Sequence, residues 1–251
     1  VHFRELFVEA AADAEAYARD LAARLGASGV VSPGAATKGA LVLAVGARGL
    51  SLRLGDGPGV TAAVQALARR PDQGPDLLWR AVLSGREPVV EATAGLGADG
   101  FHLAAKGASV TLVERSPLLV ALLADALERA RRGDLGPGAA GAAARVRLHE
   151  GDAREVLSSG AVAPEEAGVV YLDPMFPAAG SRALPPKGMA LLRELLARDG
   201  DDGGELLRAA RQAATRRVVV KRHLRDGPLG GVAPSGSLRG RTVRFDVYPP
   251  L

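Results

Sequence analysis

The residues of this 251-residue chain best suited to chemistry are carboxylates that close short apolar runs. Val89-Val90-Glu91 is one such run, and Thr93-Ala94-Gly95-Leu96-Gly97 leads from it through Ala98, Asp99 and Gly100 into an apolar helix pattern. Glycines at 95 and 97 let the chain turn sharply and let a ligand approach backbone N–H groups. The G-x-G-x-x-G spacing of Gly95, Gly97 and Gly100 is shared with pyrophosphate-binding loops. Glu91 before the loop and Asp99 after it suit a cationic or hydroxyl-bearing ligand better than a pyrophosphate. The same residues also read as a strand–helix turn that holds no ligand. Glu114, with Arg115 beside it, closes a second run, ASVTLVE, where a carboxylate can accept both ribose hydroxyls of an adenosine. His149-Glu150-Gly151-Asp152 closes a third. There Asp152 can accept from an adenine amino group, or lie in a solvated turn.

A fourth run, VVYLD, ends in Asp173-Pro174-Met175-Phe176-Pro177. The two prolines constrain the loop and withhold two N–H groups. That leaves the Asp173 carboxylate and nearby carbonyls to accept from an exocyclic amine, while Phe176 stacks on the base that carries it. An amine conjugated to a base ring is a poor nucleophile, so acceptors that orient its protons favour attack on a methyl group, an in-line displacement sensitive to alignment. The alternative is a Pro-rich turn with Phe176 in the core. Lys221, Arg222 and His223 close a fifth run and Arg225 follows; with Arg182 and Lys187 they can hold nucleic-acid phosphates. The four histidines, at 2, 102, 149 and 223, show no metal-site spacing.

These positions need a framework that brings strand ends together. From Pro88 the pattern alternates: strands at 88–92, 108–114, 145–150, 168–173 and 216–222, with helices at 98–106, from Pro117 to about 132, at 188–197 and at 204–213. Right-handed crossovers then give a largely parallel sheet whose carboxyl ends share one edge. Residues 236–239 and 242–248 read as closing strands, and Gly- and Ala-rich 133–144 as a flexible surface loop. Upstream, 9–25 reads as a helix capped by Gly26, 40–45 and 50–55 as a hairpin, and 59–70 and 76–84 as helices. Residues 1–85 are expected to form a small accessory α/β domain and 86–251 the main domain.

Composition narrows the class. Hydrophobic residues are 47% and aromatics 4% of the chain. Cysteine is absent, which excludes disulfides, thiolate metal sites and cysteine nucleophiles, and fits a reducing cytoplasm. A net charge of +4, from 32 Lys plus Arg against 28 Asp plus Glu, permits a nucleic-acid partner without demanding one. No run of about 18 uncharged apolar residues suggests a membrane span, and the first residues, with acids among apolar positions, do not read as a secretory signal.

The stretches EATAGLGADGFHLAAKG (91–107), VERSP (113–117), VVYLDPMFP (169–177), RRVVVKR (216–222) and RFDVY (244–248) resemble the bacterial 16S ribosomal RNA guanine-N2 methyltransferase family, the small-subunit rRNA methyltransferase J type. Members modify one guanosine near the 3′ end of small-subunit RNA. The resemblance implies a class I S-adenosylmethionine-dependent methyltransferase fold, a Rossmann-like and mostly parallel seven-stranded sheet with a small N-terminal α/β domain. It implies S-adenosylmethionine as cofactor. Glu91, Thr93, Ala94, Gly95 and Gly97 would enclose its methionine end, with Asp99 nearby. Glu114 would take the ribose and Asp152 the adenine side, with Arg115 also among the cofactor-binding residues, and Asp173, with Pro174 and Phe176, would form the methyl-transfer centre. The implied partner is 16S rRNA, within a 30S subunit or a late assembly intermediate, in the cytoplasm. The family usually has Asp where this chain has Glu91, and a more basic Gly-rich segment where this chain has LRLGDGPG (52–59), with Arg53 its one positive residue. Methyl transfer to another nucleic-acid or protein amine, a nicotinamide-dependent oxidoreductase and a non-catalytic RNA-binding module remain the competing readings, and the oligomeric state is open.

Overall fold

The computed structural model describes residues 5–35, 39–64, 76–82, 87–174 and 203–251. The main sheet contains β5 (Val89–Glu91), β6 (Val110–Glu114), β7 (Val146–Glu150), β8 (Val169–Leu172), β9 (Arg217–His223), β10 (Gly236–Arg239) and β11 (Val243–Tyr248). Its order is β10-β11-β9-β8-β5-β6-β7. The five strands from β7 to β9 run parallel, and β11 and β10 close the sheet antiparallel. Val89, Val90, Leu112, Val113, Val169, Val170 and Val218 to Val220 are all buried, as expected of central strands covered on both faces. The chain builds outward from β5 to β6 and β7, then returns to β8 on the other side of β5. This reversal opens a crevice at the carboxyl ends of β5 and β8, where open α/β sheets take ligands.

The helices follow from local chemistry. In α3 (Ala98–Ala105), Gly97 at the N-cap adopts φ +77°. In α4 (Pro117–Arg131), Pro117 occupies the first turn, where its missing N–H leaves no bond unmade, and a broad stripe from Leu119 to Ala130 is buried. The predicted loop at 133–144 is corrected: Pro137–Ala143 forms α5, started by Pro137, with Ala139, Ala142 and Ala143 buried. Alanine has the highest helix propensity, and here its small side chain allows close packing. Ala153–Ser158 forms α6, which the sequence reading did not anticipate, and Gly203–Ala213 forms α7. The helix expected at 188–197 lies outside the described residues.

A second sheet has the order β2-β1-β3-β4, from β1 (Leu6–Ala10), β2 (Gly29–Val31), β3 (Leu41–Gly46) and β4 (Gly49–Leu54). β1 is parallel to both β2 and β3, and β3 and β4 form the expected hairpin. The helix expected from residue 9 begins only at Glu15, as α1 (Glu15–Leu25), because Glu9 and Ala10 are committed to pairing with Ala44 and Val45. Of the helix expected at 59–70, Val60 instead bridges Leu52, and 65–70 are outside the described residues. α2 (Leu77–Val82) matches expectation.

The two sheets share one apolar cluster, running from Val8, Leu43 and Leu52 to Leu112, Leu123 and Phe245. Polar contacts join them as well. Leu50 N–H donates to Asp125 of α4 at 3.0 Å, and Arg129 donates to the Arg48 carbonyl. Asp76, before α2, accepts from His102 of α3 at 2.6 Å and from Lys106, its C-cap, at 2.9 Å. Ala63 N–H donates to the Leu96 carbonyl inside the glycine loop at 2.8 Å, so the upstream segment supports the site directly. No helix among the described residues is long and apolar enough to cross a membrane.

Candidate active site

The glycine loop is fixed from three directions. Ala94 N–H donates to the Val113 carbonyl at 3.1 Å, Gly97 N–H to the Ala94 carbonyl at 2.7 Å, and Gly95 N–H to Oε2 of Glu114 at 2.8 Å. Gly95 and Gly97 both have positive φ, but for different ends. A Cβ on Gly97 would stand 2.6 Å from Phe101 Cε2, whereas one on Gly95 would meet nothing within 4 Å. Gly97 is therefore a packing requirement, and Gly95 borders open space where a ligand can reach the backbone.

Beside the loop, three carboxyl groups converge. Lys221 Nζ donates to Oδ2 of Asp99 at 2.7 Å and to Oδ2 of Asp173 at 2.8 Å, and the Tyr171 hydroxyl donates to the same Asp99 oxygen at 2.8 Å. Asp173 N–H donates to Oγ1 of Thr93 at 2.7 Å, tying the loop after β8 to the loop after β5. Glu91, 2% exposed, lies behind Gly100, whose N–H donates to it; its Oε2 is buried without a hydrogen-bond partner among the described residues. A Cβ on Gly100 would stand 2.2 Å from that oxygen, so a larger residue there would displace the acid.

The electrostatics follow from burial and crowding. Burial, then the neighbouring Asp99 and Asp173, push the Glu91 carboxyl well above the usual carboxylate range. Burial also raises Asp173, against the opposing pull of Lys221. For Lys221 burial disfavours the cation, but Asp173 and Asp99 overcome it and raise the ammonium above its ordinary value. Tyr171 is held well above the usual phenol range by burial and by Asp99. The cluster thus holds an ammonium between two carboxylates, with a third carboxyl biased toward its neutral form.

The structure changes several expected assignments. Glu114, 5% exposed and raised by burial, is engaged at both oxygens by backbone: Oε2 by Gly95 N–H and Oε1 by Ser116 N–H at 2.8 Å. It anchors the loop as well as standing at the expected strand end. Asp152 is the N-cap of α6, accepting from Arg154 N–H at 2.9 Å and from the Arg154 guanidinium at 3.0 and 2.9 Å. Those bonds hold its carboxyl below the usual range, and they make it a capping residue at the strand end where the sequence reading puts an adenine acceptor. Arg115 lies near enough to both acids to favour their charged forms. Lys221 is not a surface cation: its register beside Val220↔Leu172 sets it next to Asp173 and turns it into the carboxylate cluster. Arg222, on the opposite face by strand alternation, donates to the Gly227 carbonyl at 3.1 Å, and His223 and Arg225 are exposed at the same sheet edge. Arg53 is bound by Glu9 at 2.7 Å and by the Gly55 carbonyl, so it braces the N-terminal sheet. Pro174 follows Asp173 half-buried; Phe176, Arg182 and Lys187 lie outside the described residues.

Sequence reasoning missed Tyr171 and the inward turn of Lys221. A signal for Tyr171 existed, since a residue two before Asp173 shares its face of the strand. Nothing local marked Lys221, because its partners are set by strand order.

S-adenosylmethionine fits these residues. The space beside Gly95 admits a ligand to the backbone, and the acids Glu91, Asp99 and Asp173, with Lys221 as their ammonium partner, suit a molecule carrying an ammonium and a sulfonium. Fold and site define a class I S-adenosylmethionine-dependent methyltransferase. The family model described as "Putative SAM-dependent methyltransferase" matches residues 62–250. The chain is 46% identical over 220 residues to a ribosomal RNA small subunit methyltransferase J of Thioalkalivibrio sulfidiphilus, covering 83% of this chain and 84% of that one. It is 39% identical over 247 residues to the protein of the same name from Marinobacter nauticus, covering 92% and 86%. With that of Halorhodospira halophila the match is 50% over 177 residues, 69% of this chain and 64% of the relative. The crystal structure of a SAM-dependent methyltransferase from Neisseria gonorrhoeae aligns with a TM-score of 0.74 at 34% identity, covering 97% of this chain and 96% of that one. The chain belongs to the ribosomal RNA small subunit methyltransferase J family.

Proposed function

We propose that this protein transfers a methyl group from S-adenosylmethionine to the exocyclic N2 amine of a guanosine in 16S rRNA, in the cytoplasm and on a 30S particle or late assembly intermediate. The observation that carries the reading is Asp173. Its backbone is pinned by Thr93 and its Oδ2 by Lys221, and it stands, a third exposed, at the carboxyl end of β8 beside the glycine loop. When bound, S-adenosylmethionine supplies an electrophilic methyl group on its sulfonium and departs as S-adenosylhomocysteine. The loop from Thr93 to Gly97 would hold the donor, with Asp99 supplying negative charge beside it, Glu91 buried behind Gly100 and Glu114 keeping the loop in shape. Asp173 accepts a hydrogen bond from the amine at Oδ1, so the nitrogen lone pair is aimed rather than rotating freely. Once nitrogen bonds to the methyl carbon, the proton it sheds passes to Oδ1 of Asp173.

Phe176 stacks on the guanine, and Pro174 restricts the loop that carries it. Arg222, Arg182 and Lys187 hold RNA phosphates, and exposed His223, Arg225, Arg239 and Arg241 extend a basic rim along the same sheet edge. Folded RNA is recognised by shape and phosphate geometry as well as by the base, and the guanine leaves its stack to reach Asp173.

The test is transfer of a labelled methyl group to unmodified 30S particles and to naked 16S RNA, with the modified base mapped. Label on guanine N2 is expected. Asp173→Ala should reduce turnover by about 100-fold or more, the scale of losing one positioned polar group at a reacting centre, with donor affinity retained. Transfer to duplex DNA in preference to the particle, or full turnover by Asp173→Ala, overturns the reading.

A further inference from the structure

We propose that Lys221 is a positioning residue for methyl transfer: its ammonium locks Oδ2 of Asp173 against Oδ2 of Asp99, so that Asp173 meets the amine as a carboxylate in one orientation with Oδ1 free to accept. The inference rests on the reading above and gives Lys221 a different job from its neighbour Arg222.

The geometry is specific. Lys221 reaches both carboxylates at hydrogen-bond distance, 2.7 and 2.8 Å, from a side chain only 26% exposed. Phe245 of β11, its cross-strand partner, is buried alongside. Tyr171 donates to the same Asp99 oxygen, which fixes Asp99 from a second direction. Lys221 contacts Asp173 through Oδ2, so Oδ1 is the oxygen that the ammonium does not engage. A phosphate contact would require the ammonium to abandon two charge-assisted bonds. An ammonium also suits the position better than a guanidinium, because a compact point charge can bridge two carboxylate oxygens without a planar fork.

Removing the cation changes the chemistry of the site. Glu91, Asp99 and Asp173 would then crowd together with no ammonium among them, and the Arg222 guanidinium, which also favours the charged form of Asp173 but less than Lys221 does, would be left as the opposing cation. Like charges so placed do not all stay ionised, and one takes up a proton. Asp173 is already biased in that direction by burial. A protonated Asp173 is a donor where the amine needs an acceptor, and its carboxyl is free to rotate. Lys221 therefore acts through Asp173, without touching the target amine.

The test compares wild type, Lys221→Met and Lys221→Arg. Asp173 is titrated by carbon-13 carboxyl NMR in the ligand-free protein, and labelled methyl transfer to 30S particles is followed against pH, RNA concentration and salt. In Lys221→Met the Asp173 titration should move to higher pH, and the acid limb of kcat should move with it. At neutral pH kcat should fall about 100-fold, the lower end of the range for losing a preorganised electrostatic partner, with KM for RNA and its salt dependence unchanged. Lys221→Arg should restore part of kcat and return the acid limb toward wild type. A rise in KM with kcat and the Asp173 titration unchanged would make Lys221 a phosphate contact and overturn the proposal. If wild type methylates no RNA, the functional reading fails, while the carboxyl titration still decides whether Lys221 governs Asp173. Should Lys221→Met not fold, the wild-type ammonium resonance decides: slow proton exchange with water is expected, and fast exchange refutes the lock.

Discussion

Gly95 and Gly97 are two residues apart, both with positive φ, yet alanine should harm them in opposite ways. At Gly97, φ +77° carries a left-handed cost of roughly 1–2 kcal/mol for a residue with a Cβ. The new methyl would also stand 2.6 and 2.9 Å from Phe101 and 2.9 Å from Leu123. Both of those side chains are fully buried, so neither can swing aside. Overpacking of this kind adds roughly 1–3 kcal/mol. Gly97→Ala should therefore lose about 2–5 kcal/mol, the sum of those two contributions. Gly95→Ala, at φ +56° with nothing within 4 Å, carries only the conformational cost of about 1–2 kcal/mol. Both gain the same small benefit from a stiffer unfolded chain, so it cancels in the comparison. Urea unfolding of the two variants under one condition measures the difference, expected at about 1–3 kcal/mol. Calorimetry with S-adenosylmethionine should show the reverse order per unit of stability lost: Gly95→Ala fills the space a donor needs, while folded Gly97→Ala leaves that space open. Equal destabilisation of the two variants would refute the packing account, and unimpaired donor binding by Gly95→Ala would refute the account of the open side.

Two further predictions concern the buried acids. The folded protein raises the Glu91 carboxyl well above its unfolded value. Between those values the native state therefore holds a proton that the unfolded state has released, and stability falls as pH rises through that window. Glu91→Gln mimics the protonated acid and should make the decline in urea midpoints shallower as pH rises above the ordinary carboxylate range; an unchanged slope would show that Glu91 is not the group responsible. Glu114→Gln replaces one acceptor oxygen by a donor facing a backbone N–H, of Gly95 or Ser116, and should cost about 1–3 kcal/mol of stability while weakening donor binding. If stability and affinity both stay at wild-type levels, the carboxylate does not hold the loop.

The strands and the cofactor loop were legible because their signals are local. Val89 to Gly100 contains a buried strand, two permissive glycines and a helix start in sequence, and Pro117 marks the start of α4 unaided. The two closing strands at the sheet edge were legible, the second from its alternation and β10 spanning 236–239 as expected, while their antiparallel direction came only from the structure. Two misreadings came from alanine. At Glu9 and Ala10 the helix propensity lost to ladder bonds from β3, with a 3-10 turn at Ala12–Ala14 before α1, and in 137–143 the Gly-rich flanks hid a helix that packs by its small side chains. Asp152 did carry a readable signal: Asp-Ala-Arg-Glu has a capping residue with an acid three places on, the pattern that starts a helix. Lys221 had no such signal. It reads as the first of a basic group, Lys-Arg-His, and only the pairing of β9 with β8 separates it from the two that follow.

That separation is a consequence of period-two geometry acting at a sheet edge. Side chains at 221 and 222 must point to opposite faces. Lys221 shares its face with Tyr171 and Phe245, on the side where α3 delivers Asp99, so a cation there finds carboxylates before it finds solvent. Arg222 has Val220 and Val218 on its face and reaches the strand end beside exposed His223 and Arg225. Two adjacent basic residues can thus divide between tuning the reacting centre and meeting a polyanion. The division requires that β8 lie between β5 and β9, because that order alone brings Thr93, Asp173 and Lys221 into one line across three strand ends. A one-residue slip of β9 would turn Lys221 outward and Arg222 inward, leaving Asp173 beside a bulkier cation that lacks the compact geometry to bridge Asp99. The buried valines at 218 to 220, in register with β8, hold that slip in check. Apolar packing along the strand therefore sets which base of the pair reaches Asp173.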